Sequence, residues 1–233
     1  ASHATGRNVG QDLPAGDDLL RFARVRHRER NADRIADALA DELLEGDAGF
    51  DDAKIGVIGS NGSGKSTLLR CMAGLLNPDR GTLKYATRPT DNVISNAFVF
   101  QSFALFPWLS IRENIAISMT KLSKREQEER IERVIQMVGL KGFEDAYPKE
   151  LSGGMRQRVS FARAMVSDPM ILFMDEPFSA LDPLTKESLK SEIIRIWSQP
   201  DRKIRSAVLV THRFEEALQL ADRIVILSSN PGT

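Results

Sequence analysis

The sequence predicts an α/β fold built on buried, mainly parallel strands, with a helical segment inserted among them. Three observations carry this. First, GSNGSGKST, Gly59 to Thr67, stands between a short apolar run of strand character, Lys54 to Ile58, and a segment where Leu68, Leu69, Met72, Leu75 and Leu76 recur at helical spacing. Second, Met170 to Met174 is a continuous apolar run, the pattern of a strand covered on both faces. Third, residues 102–150 carry two Ser-x-x-Glu helix starts, Ser110 with Glu113 and Ser123 with Glu126.

Composition bounds what such a fold can do. With 42% hydrophobic residues among 233, the chain has ample material for a core. Lysine plus arginine equals aspartate plus glutamate at 32 each, so bulk charge points to no nucleic-acid partner. Cys71 is the single cysteine, which excludes an internal disulfide, and its place after the glycine-rich loop suggests a small buried side chain. No apolar run approaches the roughly eighteen residues that a membrane span needs.

In chain order, residues 1–18 are polar, contain glycine and lack an initial methionine; they are expected to be disordered, reflecting a trimmed start. Residues 19–233 are read as one domain. Leu19 to Arg30 sets Arg21, Arg24, Arg26, Arg28 and Arg30 around Leu20, Phe22 and Val25, a pattern expected of an edge strand with a solvated basic face. Residues 31–50 fit either a helix or a strand with a turn. After the loop helix, Thr82 to Tyr85 and Ala97 to Phe100 are short strand candidates.

Within the insertion, Ile131, Val134, Ile135 and Val138 mark one apolar face, Lys124 to Arg133 its solvated side, and Gly139 its end. From Leu151 the alternation resumes. A helix runs through Met165, then come the strand to Met174, a helix from Asp182-Pro183 to Trp197, a strand Ala207 to Thr211, a helix Phe214 to Leu220 and a strand Ile224 to Leu227.

The loop itself carries chemistry. Gly59, Ser60, Asn61, Gly62, Ser63 and Gly64 bring backbone amides around an anion, Lys65 reaches the β and γ phosphates, and the Ser66 hydroxyl can ligate magnesium. The helix that follows points its positive end at the same place. At the end of the apolar strand, Asp175 can complete a magnesium shell while Glu176 polarises the attacking water; paired acids also occur at strand ends simply because water begins there. LSGGMRQ, Leu151 to Gln157, is a second glycine-bearing helix start, where Ser152, Gly153 and Gly154 offer another anion site or an ordinary cap.

Taken together, GSNGSGKST, Gln101, LSGGMRQ, the strand ILFMDE, Ser179-Ala180-Leu181-Asp182 and His212, in this order, resemble the nucleotide-binding subunit of ATP-binding-cassette transporters. The resemblance covers about Leu19 to the end. It implies a P-loop NTPase fold with a mainly parallel sheet, an antiparallel β edge, and residues 102–150 with the following helix as a helical subdomain. It also implies that Lys65, Ser66 and Thr67 bind phosphates and magnesium, that Gln101 senses metal and water, and that Asp175 supports magnesium. Glu176 would be the general base, His212 would contact the γ-phosphate, and Ser152, Gly153 and Gly154 would act on the ATP of a second copy.

Phe103-Ala-Leu-Phe-Pro-Trp108 and Leu227-Ser-Ser-Asn-Pro-Gly232 look like importers of nitrate, taurine and other sulfonates. The implied cofactors are ATP and Mg2+. The implied partners are a second ATPase subunit, a transmembrane permease and a solute-binding protein, with the subunit peripheral on the cytoplasmic face of the cell membrane. Two features depart from the family. No Tyr, Phe or Trp lies between Val25 and Leu39 to stack on adenine, His27 being the nearest flat side chain, and the chain stops just after its last strand. A non-transport ATPase of the same superfamily is the rival reading; a GTP switch is disfavoured because no Asn-Lys-x-Asp motif occurs.

Overall fold

A computed structural model describes residues 53–78, 95–119, 122–199 and 203–227. Five strands form its sheet: β1 (Lys54–Gly59), β2 (Asn96–Val99), β3 (Ile171–Asp175), β4 (Ser206–Thr211) and β5 (Arg223–Leu227). Their order is β2-β3-β4-β1-β5, and every pairing is parallel. The apolar runs are strands because both faces of the sheet are covered. Along β3, Leu172 and Met174 enter one apolar cluster while Ile171 and Phe173 enter the other, and β4 divides Ala207 and Leu209 from Val208 and Val210 in the same way.

Helix α1 (Lys65–Met72) lies on one face, where Leu69 and Met72 meet Ile55, Val57 and Phe173. Cys71 is buried, as its position suggested. The opposite face is packed by the helical segment: α2 (Ile111–Ala116), α3 (Lys124–Met137) and α4 (Gly153–Met165), with a short 3-10 turn at Pro148–Glu150. Both capping boxes form, Ser110 with Glu113 and Ser123 with Glu126. Ile131, Val134 and Ile135 are buried, and Gly139, at φ 67°, turns the chain out of α3. The chain then continues through β3, α5 (Pro183–Trp197), β4, α6 (Phe214–Leu220) and β5.

The strand expected at Ala97 to Phe100 begins and ends one residue earlier, at Asn96 and Val99. Residues 1–18, the edge strand at Leu19 to Arg30, the undecided stretch 31–50, His27, the strand at Thr82 to Tyr85 and hence the antiparallel edge, and the residues after Leu227 lie outside the described residues. No helix among the described residues is long and apolar enough to cross a membrane.

Candidate active site

Because all five strands run the same way, their carboxyl ends share one edge of the sheet, the usual place for a ligand in an open α/β fold. The loop after β1 is Ser60 to Gly64. Gln101 follows β2, Glu176 follows β3 and His212 follows β4. Four segments far apart in sequence are thus brought together by topology alone.

Two glycine conformations shape the phosphate loop. Gly62 and Gly64 adopt φ values of 82° and 88°, left-handed backbone that only glycine takes without strain, and the space beside each is open. Gly59 has a different reason. A Cβ there would lie 2.5 Å from the Leu227 carbonyl oxygen, so this residue is glycine because β5 passes close by. Lys65 is buried, its ammonium donating to the carbonyls of Gly59 and Ser60 at 2.8 Å each, which ties the start of the loop to α1. Thr67 follows in the first turn of α1.

Ser66 and Asp175 meet below the loop. The Ser66 hydroxyl donates to Asp175 Oδ1 at 2.7 Å, and the Asp175 carboxylate is fully buried. Its other oxygen faces Arg70, whose guanidinium is 3.4 Å away. Arg70 was not singled out from sequence. Its one signal is helical: it stands a turn after Ser66, so both side chains project from the same face of α1. Among the described residues no group of three or more His, Cys, Asp or Glu side chains is gathered as a metal site would be. Ser66 and Asp175 nevertheless supply hard oxygen donors side by side, and this fits magnesium, which binds one or two protein oxygens and completes its shell with phosphate and water.

Glu176 takes φ 45°, an uncommon conformation for a non-glycine residue, costing about 1–3 kcal/mol. Its amide donates to Val210 O at 2.9 Å, prolonging the β3–β4 ladder by one bond, while Ser179 returns through both its amide and its hydroxyl to the Glu176 carbonyl. The chain therefore turns sharply at the acid. Its carboxylate is held from two sides at one oxygen: Gln101 Nε2 donates to Oε2 at 3.2 Å, and His212 Nδ1 lies 3.2 Å from the same atom. With its nitrogen so engaged, the Gln101 amide leaves its oxygen as the end that a cation would take. A cleft lined by Arg70, Phe100, Gln101, Ser102, Ser179 and Ala180 opens beside this group.

Ser152, Gly153 and Gly154 lie at the start of α4. Ser152 caps α4, its hydroxyl accepting from the Met155 amide at 3.2 Å, and no hydrogen bond or ion pair among the described residues joins this trio to the phosphate loop. Gly154 has a packing reason to be glycine. A Cβ there would come within 2.2 Å of Thr185 Cγ2 in α5. Thr185 also donates, by hydroxyl and by amide, to the Asp182 carboxylate that caps α5, and these bonds hold that carboxyl below its ordinary value. At its other end, α4 grips the loop that follows Gln101: Arg163 donates to the carbonyls of Ala104 at 2.6 Å and Phe103 at 3.3 Å, with burial lowering the pKa of its guanidinium.

Residues 50–179 match the family described as ABC transporter. The chain belongs to the ABC transporter family. It is 43% identical over 180 residues to the aliphatic sulfonates import ATP-binding protein SsuB of Bacillus thuringiensis subsp. konkukian (strain 97-27), covering 76% of this chain and 69% of that one. It is 46% identical to the nitrate import ATP-binding protein NrtD of Synechocystis sp. (strain ATCC 27184 / PCC 6803 / Kazusa), covering 76% and 66%. Among solved structures it resembles a dimeric post-hydrolysis state of the ATP-binding cassette MJ0796 bound to ADP and Pi. That likeness has a TM-score of 0.65 at 30% identity, over 76% of this chain and 82% of that one. As an ABC ATPase, the chain binds a nucleotide, and the α/β fold with its glycine-rich loop is that of P-loop cassettes.

Proposed function

We propose that this ABC ATPase hydrolyses ATP in two composite sites of a homodimer and so drives a transmembrane permease that imports a small anion, nitrate or a sulfonate. The observation that carries the chemistry is the double hold on Glu176, by Gln101 and His212, beside the Ser66–Asp175 pair. In this reading the amides of Gly59 to Gly64 and the ammonium of Lys65 bind the phosphates, with Thr67 beside them at the helix start. Magnesium, held by Ser66 and Asp175 with Gln101, neutralises phosphate charge when bound. Glu176 takes the proton of the attacking water at its carboxylate, and Gln101 and His212 fix where that carboxylate points.

The partner readings follow from surfaces. Ser152, Gly153 and Gly154 form a helix start with no hydrogen bond or ion pair to this chain's own loop among the described residues, which suits a role on the ATP of a second copy. The named relatives are import subunits, and the solved cassette is dimeric. Residues 102–150 with α4 would act as a helical subdomain facing the permease. Here buried Asn114 accepts from the Phe106 amide and donates to the carbonyls of Phe106, Leu109 and Ser110. That fixed turn holds out Trp108, 69% exposed, its ring tilted against that of Phe106. An aromatic so presented suits a protein contact. A solute-binding protein would complete an importer, and the subunit would sit on the cytoplasmic face of the membrane.

Mixing tests the composite site. Lys65→Ala and Ser152→Arg copies each form dimers with no intact site, whereas the mixed dimer keeps one. Magnesium-dependent ATP hydrolysis above both parents is expected. No gain, with heterodimers and ATP binding verified, would overturn the shared site.

A further inference from the structure

Behind His212 lies a buried polar network that the proposed chemistry does not use. Lys186, in the second turn of α5, donates to Glu216 Oε1 at 3.0 Å, and the two side chains are only 10% and 5% exposed. Glu216, in the first turn of α6, accepts from the Thr211 hydroxyl at 2.6 Å on its other oxygen. That hydroxyl in turn accepts from the Arg213 amide at 3.1 Å. Thr211 and Arg213 flank His212, so one side chain bridges the backbone across the histidine.

The same elements close a circuit. Glu176 and His212 touch directly; from Glu176 the chain runs through Ser179 and Leu181 to Asp182, whose carbonyl accepts from the Lys186 amide at 2.9 Å. From Lys186 the path returns through Glu216 and Thr211 to His212. Holding α6 on the sheet does not require this network. Ala217 is fully buried against Gly56, where an added Cβ would come within 2.9 Å of it, and Leu220 is buried too. Burying an ion pair is also no efficient way to gain stability, since apolar replacements are often neutral or better.

We propose that Lys186, Glu216 and Thr211 are positioning residues: a strut that fixes the backbone at His212 and so aims its imidazole at Glu176. The proposal rests on the reading of Glu176 and His212 as the hydrolytic pair. Glu216 is the hub. One oxygen takes the charge of α5 and the other orients the hydroxyl that brackets His212, so the distance between histidine and acid is set from both ends.

The test uses two independent breaks. Thr211→Val removes the hydroxyl at nearly constant shape, and Thr211→Ser restores it. Lys186→Met combined with Glu216→Leu removes the ion pair as a unit, leaving no lone buried charge, and is expected to fold. With ATP and magnesium, kcat of Thr211→Val and of the double variant should fall about ten- to hundredfold. KM for ATP should stay within about twofold, and Thr211→Ser should recover most of the loss. The chain has three histidines, so the imidazole NMR signal of His212 is identified by its disappearance in His212→Ala. It should shift in both broken variants while the other two stay. A loss confined to thermal stability, with kcat per folded protein and the His212 signal unchanged, would overturn the strut. If His212→Ala hydrolyses ATP at the parental rate, the hydrolytic reading falls and takes the strut with it; parental kcat in the strut variants beside an impaired His212→Ala overturns the strut alone. Should Thr211→Val fail to fold, the double variant decides by the same two readings.

Discussion

The Ser66 hydroxyl, in the first turn of the helix after the phosphate loop, donates to the buried Asp175 carboxylate over 2.7 Å. Two segments more than a hundred residues apart in sequence thereby share one hydrogen bond at the edge of the sheet. In Asp175→Asn the charge is lost while size is kept. The magnesium concentration for half-maximal hydrolysis should rise about ten- to hundredfold. A magnesium titration at fixed ATP measures it, and an unchanged midpoint would remove Asp175 from the metal site.

Lys65 and Glu176 separate binding from chemistry. Lys65→Ala should weaken ATP binding, because the ammonium that draws the loop together, and that is proposed to meet the phosphates, is gone. Glu176→Gln should bind ATP as the parent does and turn over at least about a hundredfold more slowly, within the range seen when a general base is removed. Nucleotide binding and single-turnover hydrolysis on the two variants check the split. Parental turnover in Glu176→Gln would mean another group takes the proton.

Gly154 offers a packing test. Adding a methyl group drives it into Thr185 Cγ2, so Gly154→Ala should lose about 1–3 kcal/mol of stability despite better helix propensity. Thr185→Ser removes that methyl and should recover most of the loss in the double variant. Urea unfolding of the four proteins in the cycle reads the coupling. Additive losses would place the strain elsewhere.

Asp182 gives a pH dependence. Its folded pKa is lowered from 3.8 by the Thr185 hydroxyl and amide, so its capping contribution is present above the unfolded value and lost as pH falls through the folded one. The difference in thermal midpoint between the parent and Asp182→Ala should therefore be constant from neutral pH down to about pH 5 and shrink below that. A difference that grows on acidification would have the wrong sign for this cap.

What could be read from sequence was what is decided within a few residues. Ser110 with Glu113 and Ser123 with Glu126 form their caps because both partners sit in one turn, and Gly139 ends α3 for an equally local reason. The apolar run before Asp175 announced a buried strand without reference to any neighbour. The P-loop spacing and the order of motifs announced the family. Contacts fixed by strand order were not legible. Gly59 yields to the Leu227 carbonyl, Gly154 to Thr185, Arg70 faces Asp175, and Lys186 finds Glu216; in each pair nothing in either local pattern names the other. From sequence the two consecutive glycines after Ser152 fit either an anion site or an ordinary cap, yet the second also has a steric reason that only the packing of α4 on α5 reveals.

Glu176 sits where a glycine or an asparagine would be more relaxed, at φ 45°. A redesign of this cassette guided by folding energy alone would replace the acid first, gaining robustness to heat while discarding the group proposed to take the proton from water. The position is thus a marker for engineers: substitutions there that raise the melting temperature are the ones to distrust, and thermostable versions should be sought by altering the surface instead.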